Sequence, residues 1–223
     1  MPVVYREHTE RGWLLLWEIA EREEELADLV FPEDAAETAG FGSRERRRQR
    51  LAWRAALRSV LPQARIGYEP GGGPVLLPPG KVSQGGVGYI GVSHTDGIAA
   101  VIYDPESPCA VDVERLDRRF GRIASRYLSE KERKLAAPDD GLFEAVCWCA
   151  KETLYKYARR EGLSLSDDLR ILRYGNFGGR GTLSGSAGGG KPVPLSFFTF
   201  GNCAVVYTDG RFSREKSAKC LTF

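Results

Sequence analysis

The chain has no hydrophobic run of membrane-spanning length. Its first apolar cluster, Leu14-Leu15-Leu16, falls far short of the ~20 apolar residues that a bilayer-crossing helix needs. No membrane partner is therefore expected. No signal peptide is expected either, because Arg6, Glu7, Glu10 and Arg11 precede that cluster. An excess of one charge is also missing. The 32 Lys and Arg face 30 Asp and Glu, a formal +2, so net charge by itself argues for neither nucleic acid nor a membrane surface. Cysteine is sparse and odd in number, five in all. Cys147 and Cys149 stand two apart, which is not zinc-pair spacing, and no second pair or nearby His completes a tetrahedral site. The cysteines read as small buried hydrophobes in a reducing compartment, and a cytoplasmic location is the expectation. The loop Gly71-Gly72-Gly73-Pro74 reads as flexible and lacks the Lys-Ser/Thr ending of a P-loop, so a phosphate cradle there is a weak reading.

What is present is an ordinary globular composition, 42% hydrophobic and 28% charged over 223 residues, enough for one large domain or two small ones. Val3 to Trp17 alternates like a strand or two, and Glu18 to Leu29 is acidic and reads as helix. Phe31-Pro32-Glu33-Asp34 reads as a turn opening a short helix. Arg44 to Leu61 is a clear helix, capped by Ser43 and followed by Pro62. Tyr89–Val92 and Ile98–Tyr103 are β-rich runs around Ser93-His94-Thr95-Asp96-Gly97, whose Asp-Gly step predicts a hairpin turn. A second hairpin is predicted around Gly201-Asn202, and the Gly-rich stretch from Gly175 to Gly190 reads as a mobile loop. The runs Ile98–Asp104 and Cys203–Asp209 are alike, and each follows a helix bearing a tryptophan, Trp53 or Trp148. Helix then hairpin, twice, suggests two related α+β halves, residues 1–105 and 106–223.

Three stretches carry chemistry. The helix from Arg44 holds Arg44, Arg46, Arg47, Arg48, Arg50, Arg54 and Arg58. It reads as a solvated face, as an anion site suited to guanidinium forks, or as a nucleic-acid surface. Ala110-Val111-Asp112-Val113-Glu114 has strand composition, which puts Asp112 and Glu114 on one face, ~6.6 Å apart at Cα. Such a pair suits either a solvent-facing edge or one hard cation. The third is a helix from about Leu142 to Arg160. Val146, Ala150, Leu154 and Tyr157 form its apolar stripe, and Trp148, Glu152 and Lys156 a second one. A Glu followed four residues later by Lys is a common surface pair as well as a potential acid–base set.

In this order, Val92-Ser93-His94-Thr95, Ala110-Val111-Asp112-Val113-Glu114 and Trp148-Cys149-Ala150-Lys151-Glu152-Thr153-Leu154-Tyr155-Lys156 resemble the motif series of the 4'-phosphopantetheinyl transferases of the long, two-lobed type. That series runs (V/I)-S-H-(S/T), G-(V/I)-D-(V/I)-E, W-x-x-K-E-(S/A/T)-x-x-K. Arg126-Tyr127-Leu128-Ser129-Glu130-Lys131-Glu132 is similar to the family's (F/Y)-(F/L)-S-x-x-E segment. The likeness covers about Gly88 to Arg160. It implies an α+β protein of two pseudo-symmetric lobes with the active site in the cleft between them. It also implies transfer of phosphopantetheine from coenzyme A to a serine of an apo acyl or peptidyl carrier protein, releasing 3',5'-ADP. By the same likeness, Asp112, Glu114 and Glu152 gather round Mg²⁺, Glu152 activates the serine hydroxyl, and Lys156 neutralises or protonates the leaving phosphate. Lys151, Ser93 and His94 contact coenzyme A phosphates. An arginine of the basic helix, Arg48 or Arg54 foremost, binds the 3'-phosphate. No nucleic acid is expected as partner, and an internal repeat makes a monomer sufficient. The chain departs from the family at Gly72-Gly73-Pro74, where Gly-Lys-Pro is usual, with Arg65 or Lys81 as possible substitutes. It also has Ala110 for the usual Gly and Thr153 for the commoner Ser. Two other readings stay open: a coenzyme A-binding homologue without catalysis, and an Arg-rich nucleic-acid-binding module.

Overall fold

A computed structural model describes residues 3–77 and 88–209. Lys81 and Cys220 lie outside the described residues. The chain is mixed α+β with antiparallel sheets and divides into two compact units, Met1–Pro108 and Cys109–Phe223. The sequence repeat puts that division at 105/106.

In the first unit, β1 (Val3–His8), β2 (Trp13–Glu18), β6 (Ile98–Asp104) and β5 (Tyr89–Thr95) pair in that order. β2 runs through Glu18, and the acidic stretch after it forms only the short helix α1, Glu23–Ala27, rather than helix from Glu18. Pro32 sits in the first turn of α2 (Pro32–Ala39), where its missing N–H costs nothing. α3 (Arg44–Val60) begins where Ser43 Oγ accepts the Arg46 N–H. Its apolar side, Leu51, Trp53, Ala56 and Leu57, packs with Leu15, Trp17, Ile90 and Val101 into one core. Gly71-Gly72-Gly73 is a closed hairpin turn between β3 (Arg65–Tyr68) and β4 (Pro74–Leu77), not a loose loop. Gly72 has φ +81 and its N–H donates to Glu69 O.

In the second unit, β7 (Val111–Arg115), β11 (Cys203–Thr208), β10 (Val193–Phe200), β9 (Arg180–Ala187) and β8 (Leu169–Asn176) form a five-stranded sheet. α6 (Phe143–Ala158) lies on it, with Val146, Cys149, Ala150 and Leu154 packed against Leu169, Leu183, Phe197, Ala204 and Val206. Between β7 and α6 come the short helices α4 (Phe120–Ile123) and α5 (Glu130–Arg133). α6 ends with Arg159 in the left-handed region, φ 46, three residues before Gly162.

The stretch from Gly175 to Gly190 is mostly strand, which corrects the reading of it as a mobile loop. Its glycines serve close approach. A Cβ on Gly185 would stand 2.5 Å from Leu154 Cδ1, and one on Gly181 would stand 1.9 Å from Gly175 O. The repeat has a topological counterpart. In each unit a strand leads into a long helix, and a closing hairpin returns to pair with that strand: β6 with β2, β11 with β7. Four cysteines, 109, 147, 149 and 203, are free and buried.

Candidate active site

β7 is an edge strand, but its carboxylates do not face open solvent. Asp112 pairs in register with Val206 and Glu114 with Ala204, and both partners belong to the core beneath α6. Cross-strand partners share a face, so Asp112 and Glu114 point to the α6 side. α6 is pinned over them by Thr153, whose hydroxyl lies 2.8 Å from Cys149 O and 3.1 Å from Val206 O. That fixes the rotation of the helix and turns Glu152 and Lys156 toward β7.

Lys156 Nζ donates to Asp112 Oδ1 at 2.7 Å and to Val111 O at 3.2 Å. Asp112 is 5% exposed. Glu114 is held twice: Trp148 Nε1 donates to Oε1 at 3.1 Å, and Arg118 forms a close ion pair with Oε2. Trp148 is seated between Phe120 and the edge of Tyr127, so it forms wall as well as hydrogen-bond donor. Glu152 is half-buried. Burial pushes its carboxyl above the usual carboxylate range, and the negative charge of Asp112 and then Glu114 adds to this, against Lys156 and Arg118. The three carboxyls are thus neighbours electrostatically. Among the described residues, however, no three His, Cys, Asp or Glu side chains are gathered tightly enough to hold a metal ion as they stand. Lys156 pairs with Asp112 and Arg118 with Glu114. The donor chemistry, carboxylate oxygens of Asp112, Glu114 and Glu152, is of the kind a hard divalent cation takes.

Lys151 is placed differently from the expectation of a phosphate contact. Its side chain is 1% exposed, and Nζ lies 2.8 Å from Glu132 Oε1 and 2.9 Å from Leu165 O, with Tyr127 O also accepting from it. Burial lowers its pKa, and Glu132 opposes that. Glu132 also accepts from Ile171 N, and closes a capping box on Ser129. Glu132 is therefore a buried anchor for α6. Spacing carried that signal: Lys151 lies four after Cys147 and three before Leu154, both fully buried.

Several arginines of the basic helix are likewise paired within the chain. Arg54, fully buried, pairs with Asp34 and Glu37 and donates to Tyr68 Oη at 2.6 Å, which removes it from any ligand. Arg47 pairs with Glu23, and Arg50 sits 4.0 Å over the Phe41 ring. Arg65 pairs with Glu33 and stacks on Phe31, so it is committed as well. Arg48 donates to the Ile19 and Glu21 carbonyls and pairs with Glu45. It also borders a cavity of about 370 Å³ lined by Arg22 and Arg44 together with Glu21 and Glu45. Ser93 and His94 lie in β5 itself rather than in the turn. By strand alternation His94 shares the face of Ile90 and Val92, and Ser93 the other.

The edge strand β7 thus carries two carboxylates beneath a helix that supplies a third and a lysine. Residues 108–198 match the model of the 4'-phosphopantetheinyl transferase superfamily. No curated protein matches the chain. No helix among the described residues is long and apolar enough to cross a membrane.

Proposed function

We propose that the protein transfers 4'-phosphopantetheine from coenzyme A to a serine of an apo acyl or peptidyl carrier protein, as a holo-carrier-protein synthase of the long, two-lobed type. The observation that carries the reading is Glu152 set beside Asp112 and Glu114, with its carboxyl pushed up by burial and by their charge. Asp112, Glu114 and Glu152 would hold Mg²⁺. When bound, the ion supplies charge neutralisation for the diphosphate. Glu152 serves as base for the acceptor hydroxyl, directly or through a water. Lys156, 2.7 Å from Asp112, neutralises charge on the departing phosphate. Trp148 orients Glu114. Ser93, His94 and Arg48, with Arg44, are the contacts proposed for coenzyme A. Arg54 and Lys151 are not among them, because both are consumed by buried pairs.

The test is direct. The protein is incubated with coenzyme A, Mg²⁺ and a panel of apo carrier proteins, and the carriers are weighed. A gain of one phosphopantetheine supports the reading. No gain on any carrier, with coenzyme A nonetheless bound, moves the protein to the non-catalytic reading that its Gly72-Gly73-Pro74 turn already suggests.

A further inference from the structure

Arg118 has no part in the motif series, yet it sits among the carboxylates. It follows Glu114 by four residues, in the loop after β7, and closes on Glu114 Oε2. The other oxygen of Glu114 is held by Trp148, a ring fixed between Phe120 and Tyr127. One partner of Glu114 is therefore rigid and the other is not. The Arg118 side chain is 47% exposed, and its guanidinium lies 5.3 Å from the centroid of Phe120 and 5.8 Å from that of Trp148. These rings offer it a surface on which to stay charged and partly desolvated if Glu114 is taken by something else. Arginine is also the side chain best matched to a diphosphate, through its planar fork of donors.

We propose that Arg118 is a displaceable counter-cation of the site. It neutralises Glu114 while no divalent ion is bound, competes with that ion for Glu114, and once displaced binds a phosphate of the diphosphate substrate. This rests on the reading of Asp112, Glu114 and Glu152 as divalent-cation ligands. The two roles have opposite signs. Removing Arg118 relieves competition at Glu114, so the metal binds more tightly. It also removes a phosphate contact, so the diphosphate binds more weakly. A residue that merely stabilised the loop would weaken both.

Titration calorimetry on the full chain separates these outcomes, first with Mg²⁺ alone and then with coenzyme A at saturating Mg²⁺. Arg118→Gln is expected to bind Mg²⁺ roughly two- to fivefold more tightly, the fold-change matching a partly exposed ion pair. Coenzyme A is expected to bind roughly tenfold more weakly, as for loss of a charge-assisted contact. Arg119→Gln is the control, because it deletes the same charge one residue on, at an exposed position. Unchanged or weaker Mg²⁺ binding in Arg118→Gln, or an equal effect from Arg119→Gln, overturns the proposal. A wild-type chain that takes up no Mg²⁺ at all overturns the three-carboxylate reading itself.

Discussion

Glu152 and Lys151 are neighbours in sequence with unlike roles, because one residue on a helix turns the side chain by about 100°. Glu152 faces β7 and Lys151 faces the α5 segment. Glu152→Gln keeps the shape and removes the charge. Carrier loading should fall by roughly 10²–10⁴, the usual contribution of a positioned acid or base, while urea unfolding stays near wild type. A loading rate within a few-fold of wild type would refute the assignment. Lys151→Met should do the reverse of a phosphate contact. It strands Glu132, 3% exposed, without its cation, so stability should drop by about 3–5 kcal/mol in urea titrations. Glu132 also makes a prediction in pH. Burial works to raise its carboxyl, but Lys151 and the N–H groups of Ile171 and Ser129 outweigh this and hold it below the ordinary 4.5. Its contribution is thus fully present above that value and is lost as pH falls through the folded one. Urea midpoints of the wild type should decline on acidification below about 4.5, and those of Glu132→Gln should decline less steeply.

α3 and α6 were legible in the sequence to within a residue or two, because each sustains an apolar helical period, with a Ser43 cap opening α3. The acidic run after Trp17 was not. Its helix needed tertiary support, and β2 claimed Glu18 as far as the pairing with Ile98. The glycine-rich stretch misled for another reason. Glycine marks loops by its freedom, but Gly181 and Gly185 mark places where strand backbone meets Phe197 and Leu154. The β7 and α6 parts of the site could be read, since alternation and the 3.6 period are local. The partners of Arg54 and Lys151 could not be read so directly, because they come from α2 and α5, 17 and 20 residues away along the chain for Arg54 and 19 for Lys151. Gly185→Ala puts a methyl 2.5 Å from Leu154 Cδ1 and 2.7 Å from Arg170 O, so it should destabilise by about 1–3 kcal/mol. Gly141→Ala meets nothing within 4 Å and should be near neutral in the same denaturant experiment. Equal effects would show that the β8–β9 glycines are not packing residues.

Charge in this molecule is balanced locally as well as in total. Arg47, Arg50 and Arg54 answer Glu23, Glu37 and Asp34, so a helix that reads as a polycation is largely neutralised inside its own unit. These ion pairs lower the positive charge the helix presents to a phosphate backbone, and a nucleic-acid binder's affinity would fall steeply with salt. Ligand linkage then supplies a test that needs no acceptor. A compound that binds only the folded chain stabilises it by about 2.7 kcal/mol at a hundredfold excess over its Kd. For a chain of this length each kcal/mol is ~2–4 °C in Tm. Coenzyme A with Mg²⁺ should therefore raise the melting temperature by roughly 5–10 °C at that excess. Pantetheine, which lacks the diphosphate and the 3'-phosphate, should raise it far less. A duplex oligonucleotide at the same concentration should leave it unchanged at physiological salt. Stabilisation by the oligonucleotide and none by coenzyme A would return the arginine helix to a nucleic-acid role and leave the carboxylates of β7 and α6 without a substrate.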